Sequence, residues 1–195
     1  MKIVSDLLIT ALYVVFVQNL VMCSGLGMSE AIRIASRPGA FIRFAAMISG
    51  FSVVTSVICS LLAVFVPSIE SYAVKAMIYG GVLAAVYLVV AVIVRIASKD
   101  KELLGNLGIA ALNTLVFAVP YINNNASYTI WNSIGSGLGA GAAFVLAAAL
   151  IGSGSRLLEK NKHIPPAFRG SPAMFLYVAM ISLGFMGFTG TTLFT

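Results

Sequence analysis

Charge is what this chain most lacks. Only 9% of its 195 residues are Asp, Glu, Lys or Arg, while 60% are hydrophobic. A soluble domain averages about 25% charged residues, so this little charge cannot cover a water-facing surface. The composition points to an integral membrane protein in a lipid bilayer. The formal net charge of +6 does not argue for a nucleic-acid partner, because the basic residues are sorted by loop rather than gathered in one patch.

Cysteine is scarce as well. Cys23 and Cys59 form neither a CxxC pair nor a disulfide framework. Both lie in apolar runs, where a cysteine ordinarily packs as a small hydrophobe. The one histidine, His163, falls in a basic loop and reads as a surface residue. Inside the long apolar runs there is no Asp, Glu, Lys, Arg or His; Glu30, Glu70, Asp100, Glu102 and Glu159 stand at their edges. Intramembrane ionisable side chains mark proton relays and ion pathways. Their absence argues against a self-contained carboxylate-based pump.

The chain does have six uncharged runs, at 7–29, 44–69, 76–94, 103–122, 134–155 and 172–194. Each approaches the roughly 20 residues that a helix needs to cross a bilayer. The opening "MKIVSDLLITALYVVFVQNLV" resembles a signal peptide, but Asp6 interrupts it and no A-x-A site follows, so it is expected to be a retained span. Ten Lys and Arg residues fall in loops 1–2, 3–4 and 5–6, against only Lys2 and Lys75 on the other side. The positive-inside rule then places both termini outside, with loops 1–2, 3–4 and 5–6 in the cytoplasm. The sequon at Asn125 lies in a short Asn-rich turn and reads as chance.

Polar residues within the runs are few. Gln18 and Asn19 precede Cys23 in span 1, and Asn113 and Thr114 sit midway along span 4. Amides in hydrocarbon must find partners, so interhelical hydrogen bonding is one reading. Broken helices are the other: Gly25 and Gly27 follow Cys23, and Pro120 follows Asn113-Thr114. Interruptions at corresponding places suggest two inverted three-helix repeats, about 1–98 and 99–195, with a site between them. The pairs Gly135/Gly139 and Gly137/Gly141 are GxxxG motifs suited to close helix packing, and Gly184, Gly187 and Gly190 repeat the theme in span 6.

"PPAFRG" at 165–170 and "MISLGFMGFTG" at 180–190 resemble the closing signature of the Rnf/Nqr membrane-subunit family, nearest its A-type members. "VQNLVMCSGLGMS" at 17–29 is similar to the family's first-span motif, with Cys23 on the cysteine, Gly27 on the glycine and Ser29 on the serine. "ALNTLVFAV" at 111–119 falls on its fourth-span counterpart. The resemblance implies an all-α, six-span inverted repeat with broken helices 1 and 4. It implies a subunit of a ferredoxin:NAD or NADH:quinone type complex in a bacterial or archaeal cytoplasmic (inner) membrane, one that moves Na⁺ or H⁺ and is not catalytic alone. Its partners would be a homologous membrane subunit of E or D type, together with other subunits carrying flavin and iron–sulfur groups.

In that family, cysteines from spans 1 and 4 of two subunits hold an iron–sulfur cluster between them. Cys23 would be the ligand here, beside Gly25, Gly27 and Asn113. Thr114 stands where the second cysteine is expected, and its hydroxyl is a harder, neutral group than thiolate. The alternatives are a cluster-free paralogue carrying an ion or small solute through Gln18, Asn19 and Asn113, and a structural scaffold subunit.

Overall fold

The computed structural model describes residues 2–65, 71–97 and 101–189, and these are helical with no strand among them. The helices are α1 (Lys2–Phe16), α2 (Leu20–Ser24), α3 (Met28–Ala35), α4 (Phe41–Phe65), α5 (Tyr72–Ala97), α6 (Lys101–Ala111), α7 (Thr114–Asn125), α8 (Ile130–Lys160) and α9 (Ser171–Phe188). Six helical stretches are long and apolar enough to span a membrane: Ile3–Ser24, Phe41–Phe65, Tyr72–Ala97, Glu102–Asn125, Ile130–Lys160 and Ser171–Phe188. The chain is therefore an all-helical, six-span membrane protein. Pro67, Glu70, Lys99, Asp100 and Gly190 lie outside the described residues.

Two boundaries differ from the sequence expectation. The first apolar run continues past Ser24, but Gly25 (φ 70°) and Gly27 (φ 76°) both adopt the left-handed conformation and turn the chain into α3. Residues 25–29 are thus a turn and the start of another helix. In span 4 Pro120 is not the breaker, since it sits inside a continuous α7. The break lies upstream at Leu112–Asn113, where Asn113 takes up extended backbone (φ −74°, ψ 137°).

Helix α8 is the axis of the fold. It has fourteen buried residues, many of them glycine, alanine or serine. Its two GxxxG pairs serve two neighbours. A Cβ on Gly135 or Gly139 would meet the backbone of Leu7 or Ala11 in α1, and one on Gly137 or Gly141 would meet Val53, or Ala45 and Ser49, in α4. Such close backbone approach gains dispersion contacts in a setting where apolar burial drives nothing. Further along, Gly152 lies against the Ala35 carbonyl and Gly154 against the Tyr177 ring.

Helix α9 is the opposite case, with Ala173 its one buried residue. Gly184 and Gly187 have open space around them. The packing role expected of these glycines is not met within this chain, because α9 presents that face outward. The loop before it owes its shape to Arg169, whose Nε donates to the Ile164 carbonyl (2.9 Å) and Nη2 to the Lys162 carbonyl (3.0 Å). Gly170 then starts α9 at φ 79°. This is the local reason for the PAFRG sequence.

A candidate site where the two broken spans meet

Each break in the membrane is made by an asparagine. The Asn19 side chain caps α2 by accepting from the Met22 N–H (3.0 Å), and its Nδ2 donates back to the Val15 carbonyl (2.9 Å). The Asn113 side chain caps α7 by accepting from the Leu115 N–H (2.9 Å). A helix end leaves its first N–H groups without partners, and no water exists in hydrocarbon to satisfy them. An internal cap lets a span break at low cost. Helix α6, with 11 residues, rises roughly 16 Å. The span-4 break therefore falls near the middle of a hydrocarbon layer about 30 Å thick.

The breaks meet each other. The Gly27 N–H donates to Thr114 Oγ1 (3.0 Å) across 87 positions of sequence. Asn113 packs so closely that a Cβ on Gly27 would lie 2.9 Å from its Oδ1 and 3.2 Å from the Leu115 Cβ. Glycine is required at position 27 twice over, by its positive φ and by this contact. Of the residues singled out in the sequence, the structure brings Gly27, Asn113 and Thr114 together. Cys23 lies on α2 one turn before Gly27 and is half-buried. Gly25 and Ser24 are exposed and so is Thr114, while Leu112 is 64% exposed.

Asn113 is only 5% exposed, yet its Nδ2 has no hydrogen-bond partner. A buried, unpaired donor at mid-membrane is costly, and this one stands at the seam of the two breaks. Asn19 differs, since both ends of its amide are committed to bonds within its own span. It is not free to bind a solute, which removes it from the ligand set considered for a carrier. Gln18 is half-buried beside it. Among the described residues no three His, Cys, Asp or Glu side chains come together.

Elsewhere the expectations hold. Cys59 is buried at 1% exposure as a packing residue. His163 is exposed, in the loop before Pro165. Glu30 pairs with Arg33 at 2.6 Å, and the Arg33 guanidinium lies 5.1 Å from the Phe44 ring centre, tying α3 to α4.

One group escaped the sequence reading. Ser52, Thr55 and Ser56 of α4, Asn123 of α7 and Ser133 of α8 are all at most 1% exposed. Their signal was present: 52, 55, 56 and 59 are spaced i, i+3, i+4, i+7, a helical face carrying hydroxyls and a thiol within an otherwise apolar span.

Comparison with known proteins agrees with this architecture. The sequence profile of the family described as Rnf-Nqr subunit, membrane protein, matches residues 3–192. The A-type component of the ion-translocating oxidoreductase complex of Glaesserella parasuis is 30% identical over 181 residues, covering 90% of this chain and 89% of the relative. The A-type component of the Na⁺-translocating ferredoxin:NAD⁺ oxidoreductase complex of Acetobacterium woodii is 27% identical over 187 residues, covering 92% and 94%. The E-type component of the Na⁺-translocating NADH-quinone reductase of Pseudoalteromonas translucida is 31% identical over 87 residues, covering 45% and 43%. With the family profile matching nearly its whole length, the chain belongs to the Rnf-Nqr family of membrane subunits.

Proposed function

We propose that the chain is a membrane subunit of an ion-translocating electron-transport complex of Rnf/Nqr type, and that its α2–α7 face joins a homologous subunit of E or D type. In this reading the halves 1–98 and 99–195 are inverted repeats, and the basic loops face the cytoplasm with both termini outside. The exposure of Leu112 and Thr114 carries the proposal. Both stand on the outer surface at a mid-membrane break, beside the buried amide of Asn113.

The donor set bears on an intersubunit iron–sulfur cluster. Such clusters are held by thiolates. Half-buried Cys23, beside exposed Ser24 and Gly25, suits the contribution of one sulfur. Thr114 does not suit the contribution of another, because it is a neutral hydroxyl whose oxygen already accepts the Gly27 N–H. A homologous partner bringing two cysteines would leave the set one thiolate short of four. The residues present do not fit a four-cysteine cluster, and no electron step is assigned to one. The Thr114–Gly27 bond supports a second reading, a cluster-free subunit on the same fold that positions redox partners.

The first experiment is disulfide or thiol crosslinking in native membranes. A cysteine introduced at Leu112 should link to a homologous subunit; an intact complex with no such link would overturn the proposed interface. Iron and acid-labile sulfide in the purified complex then separate the two readings. If Cys23 is a ligand, Cys23→Ser lowers both and Thr114→Cys raises their occupancy. If neither substitution changes them, the cluster-free reading stands.

A further inference from the structure

The buried polar residues of α4, α7 and α8 form a ladder of oxygens that the broken-span site does not use. At its first rung Ser60 Oγ and Ser133 Oγ share a hydrogen bond of 3.2 Å, and at the next Asn123 Nδ2 donates to Ser56 Oγ at 3.3 Å. Asn123 Oδ1, Thr55 Oγ1 and Ser52 Oγ are buried and have no partner. The ladder starts close to the α7–α8 turn at 126–129, and in the first turn of α8 the Asn132 Oδ1 atom is also buried and unpaired. From Ser60 to Ser52 it descends roughly 12 Å along α4. Ser52 is the twelfth residue of that 25-residue span, so the ladder ends at its midpoint.

Hydroxyls in membrane helices usually satisfy themselves on a carbonyl of the preceding turn. Thr10 does so, donating to the Asp6 carbonyl at 2.8 Å. Ser52 and Thr55 do not. Pro120 adds to the oxygen surplus, because it has no N–H and Val116, four residues earlier, loses its usual helical donor. Val116, Pro120 and Asn123 recur at helical spacing on one side of α7, and all three are buried. Unpaired lone pairs thus accumulate on two packed helices. No carboxylate lies in α4 or α7, or in α8 before Glu159.

We propose that this ladder is a binding site for a partly dehydrated monovalent cation, with Asn123 Oδ1, Thr55 Oγ1 and Ser56 Oγ as its first oxygens and Ser52 a turn deeper. Hard, neutral oxygens are the ligands such an ion takes when it sheds water. A divalent ion is excluded on charge, since its oxygen sites draw on carboxylates. The ion enters at the α7–α8 turn, on the side opposite the basic loops. Only its role in translocation rests on the function proposed above; the binding itself does not.

The test uses the intact complex in lipid nanodiscs, with thermal unfolding of this subunit followed in NaCl, LiCl, KCl or choline chloride at constant ionic strength. Na⁺ or Li⁺ should raise Tm in a saturable way relative to choline. Thr55→Val keeps the shape and removes the oxygen, so it should raise the half-saturating concentration about tenfold or more, while Thr55→Ser stays within about twofold of wild type. Asn123→Leu should abolish the saturable shift. Salt-independent melting, or equal half-saturation in Thr55→Val and Thr55→Ser, would overturn the site and leave internal water on the ladder. Crosslinking at Leu112 and iron content read out the proposed interface separately, so either idea can fail alone.

Discussion

The two broken spans use one device and then diverge. In each, an asparagine in extended backbone caps the helix that follows, Asn19 through the Met22 N–H and Asn113 through the Leu115 N–H. After Asn19 the new helix lasts five residues before Gly25 and Gly27 redirect the chain, whereas after Asn113 α7 runs for twelve. Asn19 closes on itself, with both amide atoms paired inside span 1. Asn113 leaves its buried Nδ2 unpaired. Matching breaks are thus filled differently, one with both amide atoms bonded and the other with a donor left over.

The glycines of the first break give the sharpest contrast. Gly27 and Gly25 share the left-handed conformation, but a Cβ at Gly27 would press on Asn113 and Leu115, while one at Gly25 meets nothing within 4 Å. Gly27→Val should cost about 3 kcal/mol or more, adding overpacking to left-handed strain. Gly25→Ala should cost about 1 kcal/mol, the strain alone. Thermal unfolding in detergent measures both, and equal losses would mean that the two breaks do not touch.

The caps come next. Asn19→Ala removes a cap and a second hydrogen bond, for about 2 kcal/mol. Asn113→Ala removes a cap and also an unpaired donor, so its net cost should be about 1 kcal/mol or less in the isolated subunit. Because that donor is buried within the chain, the same order should hold in the assembled complex. Unfolding measured with and without the complex checks this.

Much of this was legible in the sequence. Long uncharged runs set off by charged or polar segments marked the six spans, because hydrocarbon tolerates no charge at such lengths. Gly25 and Gly27 announced a break, and the GxxxG spacing of Gly135/Gly139 and Gly137/Gly141 announced close helix packing; that the two pairs serve different neighbours emerged only from the structure. The position of the second break was not legible by the same logic. Pro120 is the stronger breaker by propensity, yet the helix tolerates it, and Asn113 sets the break because its side chain replaces the missing helical acceptor. The Ser52–Ser60 face escaped because isolated serines and threonines pass as ordinary helix residues until packing shows them unpaired. The outward face of α9 escaped for another reason: small residues signal close approach without naming the chain that approaches.

The smallest effects bear most directly on Cys23 and Thr114. Thr114→Val is isosteric and deprives the Gly27 N–H of its acceptor, so stability should fall by about 1 kcal/mol, and Thr114→Ser should recover most of it. Cys23→Ser should change stability by less than about 0.5 kcal/mol, since the side chain is only half-buried and changes little in size. The Cys23 backbone keeps its bond to the Asn19 carbonyl (2.7 Å) whichever side chain it carries. Chemical unfolding of the two variants side by side makes the comparison. A silent Cys23→Ser means that any loss it causes in the assembled complex is chemistry at the sulfur. A Cys23→Ser variant as unstable as Thr114→Val would instead make that cysteine a packing residue, and the two sides of the seam would then differ only in how they hold the fold.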